Sequence, residues 1–213
     1  MSVTIIDISM PIQTDMPVYK NRDEKRPGIQ VVRDFGSGSV YESRLSIDMH
    51  TGTHIDAPLH MIEGGGDLTV YPKERWVSPC TVLDFTHIKD GITKEDLIKK
   101  EILNGEFVLL KTQNSFEEDF NTDFIYLEKT GAEYLLETGI IGVGIDSLGI
   151  ERSQPGHETH KTLLGNSIMI LEGLRLKEVV EGKYILIAAP LNIPGVEASP
   201  VRAFLMDRGF IKL

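Results

Sequence analysis

The 213-residue sequence predicts an α/β fold in one domain covering residues 1–213, on three observations. Apolar, β-branched runs of the kind that form buried strands recur at 81–85, 107–111 and 140–145. Helix-patterned stretches alternate with them, from Thr93 to Leu103 and from Gly131 to Thr138. The length suits one large domain able to bury a sizeable core, with any extra segments as appendages.

In chain order, 3–8 reads as a short opening strand, followed by a long Pro-rich loop from Pro11 to Pro27. Loops of that length are functional or mobile. Met16-Pro-Val-Tyr19 gives this one an apolar and aromatic patch, in which Tyr19 is either a substrate-stacking residue or an anchor to the core. From Tyr41 to His50 apolar and polar residues alternate, the pattern of a half-buried strand whose polar face aims His50 at a wet cavity. Glu63-Gly-Gly-Gly-Asp67 is a flexible turn, without the Lys-Ser or Lys-Thr of a phosphate loop.

Thr93 is the expected N-cap of the first helix, and Gly139 the stop of the second. The stretch 114–123 reads as a surface loop without chemistry, and His87 as an isolated histidine beside a strand end. Ser153 to His160 is a loop leading into a strand, 167–171, that ends in Glu172. Glu172 is either a metal ligand or the N-terminal carboxylate of a helix over 174–180 stopped by Gly182. A strand at 184–189 and turns at 191–195 and 199–202 complete the chain.

A formal net charge of -10 argues against a polyanionic partner, so no nucleic acid is expected. The basic cluster Lys20 to Arg26 carries two acids among its four bases and reads as a solvated loop. Cys80, the one cysteine, excludes an internal disulfide and fits a reducing, cytoplasmic setting as a small buried hydrophobe. The start lacks a basic flank and a long apolar run, so no secretory signal is expected. Nor does any segment approach the roughly 18 apolar residues of a membrane span.

The chemistry concentrates in His50-Thr-Gly-Thr-His54-Ile-Asp56-Ala-Pro-Leu-His60. In an extended chain these three imidazoles and the carboxylate project from one face. A straight strand would nevertheless separate His50 from His60 by roughly 33 Å. The chain must therefore bend, at Gly52, which tolerates positive φ, and at Pro58, which cannot extend a ladder. His54 and Asp56 are then the tight core of a metal site.

This motif, followed by His160-Lys-Thr-Leu-Leu and by Ile-Leu-Glu172-Gly-Leu, resembles the cyclase family of metal-dependent hydrolases that includes bacterial kynurenine formamidase and isatin hydrolase. The opening Ile-Ile-Asp-Ile-Ser, the Met-Pro-Val-Tyr loop and the late Asn-Ile-Pro-Gly and Ser-Pro-Val-Arg stretches extend the likeness over nearly the whole chain. The resemblance implies a swivelling β/β/α domain with a mixed sheet, and a homo-oligomer, dimer or tetramer, with loops exchanged near its sites. It implies that His50, His54 and Asp56 bind one zinc, and that Asp56 and Glu172 are shared with a second completed by His160; manganese is the alternative metal. His60 becomes the proton-transfer residue. The implied reaction is hydrolysis of an N-formyl arylamine such as N-formylkynurenine. Opening of a cyclic amide or lactone, and a cyclase or dehydratase reaction, use the same metal set. A non-catalytic metal site is disfavoured, because structural zinc favours Cys-rich closed tetrahedra. Two departures stand out. Formamidases of the family carry Trp-Pro-Gly-Asp where this chain has Tyr19-Lys20-Asn21-Arg22, and Asp-Gly where it has Glu197-Ala198 before Ser199.

Overall fold

The computed structural model describes residues 4–207. Its strands are β1 (Ile5–Asp7), β2 (Gly28–Arg33), β3 (Glu42–Ser46), β4 (His54–Asp56), β5 (Val77–Asp84), β6 (Gly91–Ile92), β7 (Phe107–Lys111), β8 (Tyr126–Leu127), β9 (Gly142–Ile145), β10 (Met169–Glu172), β11 (Gly182–Pro190) and β12 (Ala198–Asp207). The helices are α1 (Lys94–Leu97), α2 (Lys129–Thr138) and α3 (Glu158–Leu164). The opening strand is thus shorter than the sequence suggests, and Val3 lies outside the described residues.

Eight strands form one mixed sheet in the order β1-β12-β11-β5-β7-β9-β10-β4, and a further pairing of β12 with β4 closes it into a barrel. The block β5, β7, β9 and β10 is parallel, as crossover connections through helices require. Strand β12 makes the closure because it is long. It pairs with β4 through Ala198–Pro200, with β11 through Val201–Asp207 and with β1 through Phe204–Met206.

Strand β7 shows how one run of apolar residues serves two cores. Phe107 and Leu109 enter the barrel interior with Ile55, Leu171, Leu186 and Ala203. Val108 and Leu110 point the other way, to a layer with Leu97, Leu135 and Leu163 from the three helices. The same alternation places Ile55 of β4 and Leu171 of β10 inside the barrel. It therefore turns His54, Asp56 and Glu172 to the outer face.

Several expectations from the sequence are corrected. The half-buried strand over 41–50 is instead the second arm of an exposed hairpin. Strands β2 and β3 pair with Ile29 opposite Leu45, and every residue of both is exposed. The alternation is real, but among the described residues nothing buries its apolar row. The first helix ends at Leu97 rather than Leu103, although Thr93 and Asp96 form the full capping box. Leu97 is its one buried residue, and a helix so short draws its stability from packing more than from propensity. The α2 helix and its Gly139 stop, at φ 78°, are as expected.

No helix forms over 174–180, and Gly182 opens β11 instead of stopping a helix. There Leu174 bridges to Ser9 and Leu174, Leu176 and Val179 fill the barrel core, so the apolar side chains are consumed by an irregular segment. Residues 199–202 lie within β12 and are not a turn. The loop before His160 becomes helix at Glu158.

Candidate metal centre

Both bends required by the histidine motif are present: Gly52 has φ 64° and Pro58 opens a 3-10 turn, Pro58–His60. Across the β4–β10 ladder, Glu172 stands directly opposite His54, so their side chains emerge as neighbours on the outer face. Gly173, at φ 69°, lets two loops cross here. A Cβ on it would meet the Gly52 carbonyl oxygen at 2.3 Å. That same carbonyl lies 2.9 Å from His54 Nδ1. Accepting the Nδ1 proton, it turns Nε2 towards the acids, the arrangement that prepares an imidazole for a metal. Thr53 straps the crossing, donating to the Gly173 carbonyl at 2.6 Å while accepting from Met10 N at 2.8 Å.

The six predicted polar residues converge. Asp56 Oδ1 is 3.0 Å from His50 Nδ1 and 3.5 Å from His54 Nε2, and Oδ2 is 3.7 Å from His160 Nε2. Glu172 lies 3.3 Å from His54 Nε2 and 3.4 Å from His160 Nε2. His60 stacks near His50, with ring centroids 4.2 Å apart. Ligand-type atoms of His50, Asp56 and His60 lie within 4.8 Å of one another, as do those of His54, Asp56 and Glu172.

Electrostatics single out the same atoms. Burial alone would strip protons from His54 and His160, but neighbouring carboxylates overcome it. Glu172 and Asp56 raise His54 to about 9, and Glu151, Glu172 and Asp56 raise His160 to about 10. Burial would raise Glu172, yet His160 and His54 hold it well below the usual carboxylate range. His60 is lowered, chiefly by burial, with Asp56 opposing and the two nearby imidazoles assisting.

Asp56 is 0 % exposed, and neither of its oxygens has a hydrogen-bond partner among the described residues. His54 Nε2 and His50 Nε2 are likewise buried without one. The imidazoles stand beside Asp56 without hydrogen-bond geometry, and a buried carboxylate left without hydrogen bonds is costly, whereas a divalent cation would satisfy all of these atoms together. The donor set of imidazoles and carboxylates fits such an ion.

Glu151, which the sequence does not mark, is the further carboxylate of the site. Its Oε1 is 2.8 Å from His160 Nδ1 and 2.7 Å from His157 Nδ1, and its Oε2 accepts from Thr159 N at 2.9 Å. A carboxylate so placed beside a buried imidazole is the arrangement by which an outer acid orients a histidine for a metal. No periodicity reveals it, since the contact depends on α3 turning His160 back over the loop. A second feature, of which the sequence marks Tyr19 alone, is the wall of the cavity of about 700 Å³ above the cluster, where Tyr19, Phe120 and Phe124 meet. Tyr19 packs edge-on against Phe120 at 5.2 Å, while Met16 and Val18 of the same loop are buried. The Tyr19 loop is thus both anchored and cavity-lining. The stretch 114–123, expected to be a surface loop without chemistry, instead buries Asn114 and Ser115 and lends Phe120 to the cavity.

Other polar candidates lie elsewhere. Asp146 accepts from Thr112 N, Thr112 Oγ1 and Ser115 Oγ, each at 2.7 Å, and braces the loop after β7. Ser199 accepts from Leu191 N at 2.9 Å within the buried end of β12. Cys80 is buried in the barrel core, and His87 is exposed, outside the cavity lining.

Fold and site together define a mixed-sheet barrel carrying a candidate divalent-metal centre on its outer face, under an aromatic cavity. The family described as "Putative cyclase" matches residues 6–152. Kynurenine formamidase of Maricaulis maris is 31% identical over 94% of this chain and 97% of its own length. A structure described as a predicted metal-dependent hydrolase from Bacillus stearothermophilus superposes with a TM-score of 0.89 at 50% identity, covering 98% of this chain and 100% of that one. Isatin hydrolase A from Labrenzia aggregata shares the fold, with a TM-score of 0.85 at 24% identity over 96% of this chain and 94% of that one. The chain belongs to this cyclase family.

Proposed function

We propose that the protein is a metal-dependent hydrolase that cleaves the amide bond of an N-formyl arylamine. The observation that carries the reading is the cluster of buried imidazole and carboxylate atoms, without hydrogen-bond partners among the described residues, at the floor of an aromatic-walled cavity. The relatives named kynurenine formamidase and metal-dependent hydrolase support it. His50, His54 and Asp56 would hold one ion, and Asp56, Glu172 and His160 would hold a second. Zinc is the expected metal, with manganese as the alternative. Such an ion would lower the pKa of a bound water towards roughly 7 and polarise a carbonyl.

The chain's own groups supply the rest. Tyr19, Phe120 and Phe124 offer ring faces and edges to an aryl group. Glu151 fixes the orientation of His160. His60 reaches the cavity from beyond the Pro58 bend and is half-buried. Burial lowers its pKa, which favours the neutral imidazole, a form that first accepts a proton and then gives it up. In this reading it delivers a proton to the departing arylamine nitrogen, which cannot leave as an anion.

The exposed hairpin β2–β3 supports a homo-oligomer. Ile29, Val31 and Leu45 are each about half exposed, a row that a second copy would cover. No helix among the described residues is long and apolar enough to cross a membrane, and the buried Cys80 fits a cytoplasmic setting. The test is elemental analysis of unchelated protein combined with turnover of formanilides, lactams and lactones. Bound zinc or manganese with formanilide hydrolysis that chelator abolishes is the expected result. Turnover confined to lactams or lactones would reassign the substrate. Metal-free protein that ignores added Zn and Mn would end the proposal.

A further inference from the structure

The rim of the cavity carries a charge pattern that the metal centre does not explain. Lys20, Arg22, Lys25 and Arg152 line it, in a protein whose formal net charge is -10. Two of these cations are committed. Lys25 pairs with Asp48 at 3.3 Å, and Arg152 with Asp90 and Asp123. Among the described residues, Lys20 and Arg22 have no carboxylate partner. The Lys20 ammonium sits 5.2 Å from the Tyr19 ring centroid. The Tyr19 hydroxyl, raised mainly by burial, feels the carboxylates of Glu172 and Glu151 and, in the opposite sense, the guanidinium of Arg22. Tyr19 is therefore within electrostatic reach of both the metal floor and the cationic rim.

The turn that presents these cations is held in place. Lys20 and Asn21 have φ 58° and 51°, a left-handed region that L side chains rarely enter without support. The Asn21 side chain donates to the Phe120 carbonyl at 3.3 Å, tying the turn to the aromatic wall. Among the described residues, the cavity offers no unpaired carboxylate to an ammonium group. The cavity carboxylates are Asp48, Glu151 and Glu172, of which Asp48 faces Lys25 and the other two face imidazoles.

We propose that Lys20 and Arg22 form an anion-recognising rim, so that the preferred substrate is an aryl amide bearing a carboxylate and no ammonium group. The carboxylate docks at the turn 19–22 while the aryl ring lies against Tyr19 and Phe120 and the amide reaches the floor. A zwitterionic amino-acid side chain is disfavoured because its ammonium faces the same two cations. The proposal rests on the formanilide reading above for its scissile bond, but not for its charge preference.

The experiment compares three formanilides on the metal-loaded enzyme. They differ in one side chain: propionate, the neutral propionamide, and the zwitterionic α-amino acid. The propionate is expected to have the highest kcat/KM. Its ratio over the neutral compound should fall about tenfold in the Lys20→Ala/Arg22→Ala double variant and fall with ionic strength. In Arg22→Glu the order of propionate and zwitterion should reverse. Equal ratios in wild type and double variant would overturn the rim. If no formanilide is hydrolysed, calorimetry with 3-phenylpropionate, 3-phenylpropionamide and phenylalanine keeps the two questions apart. Weaker 3-phenylpropionate binding in the double variant would uphold the rim while the formanilide reading fails; unchanged binding would reject both.

Discussion

The floor and the rim of this cavity are built on opposite principles. The floor residues His54, Asp56 and Glu172 sit on β4 and β10, ladder-paired and buried, with the barrel core packed behind them. The rim residues Lys20, Arg22 and Phe120 come from loops, and both cations are exposed. Groups that must hold an ion within tenths of an ångström stand on rigid strands, while groups that select a substrate stand where sequence can vary without disturbing the sheet. The two regions should therefore fail differently when altered.

The largest effect is expected at the floor. Asp56→Ala and Glu172→Ala should each lose metal and activity together, the rate falling roughly 10⁴-fold or more. Elemental analysis beside the rate assay reads both. Full occupancy in Glu172→Ala would remove that residue from the ligand set.

His60 lies between the two regions and sharpens the comparison. His60→Ala should keep its metal while amide hydrolysis falls about 10²–10⁴-fold, with a smaller loss on an activated ester whose leaving group needs no proton. Its closeness to His50 and Asp56 makes the metal measurement decisive. Loss of metal comparable to that in His54→Ala would class His60 as a ligand.

A smaller effect is expected one layer out. Glu151→Gln keeps the shape but removes the charge beside His160, and should weaken metal binding about 10–100-fold. Competition with a chelator measures it. Unchanged affinity would mean that the hydrogen bonds of α3 alone position His160.

Legibility in the sequence follows the same division. The floor was readable because β-strand parity and two bend-forming residues are local properties, and Gly52 and Pro58 bend the chain where the pattern requires. The buried strands were readable because both their faces are apolar, as in β7. The hairpin was misplaced because alternation reports that a strand has an apolar side, not that this chain covers it. The expected helix over 174–180 failed because Leu174, Leu176 and Val179 all fill the core, and residues two apart lie on different faces of a helix, so a helix would not bury Leu174 and Leu176 together. Glu151 and Phe120 could not be seen at all. Their roles exist only once segments distant in sequence have been brought together.

The closure of the barrel by β12 has a consequence for how the protein comes into being. Strand β4 emerges from the ribosome before both of its ladder partners, β10 and β12, which lie more than a hundred residues downstream. At about 5–20 residues per second the histidine motif waits on the order of ten seconds for neighbours. During that interval the growing chain can offer an ion His50, His54 and Asp56 but neither Glu172 nor the strand that locks β4 in register. Completion of the candidate metal centre is thus tied to synthesis of β12, and a truncated product lacking that strand would carry the whole motif without the frame that holds it.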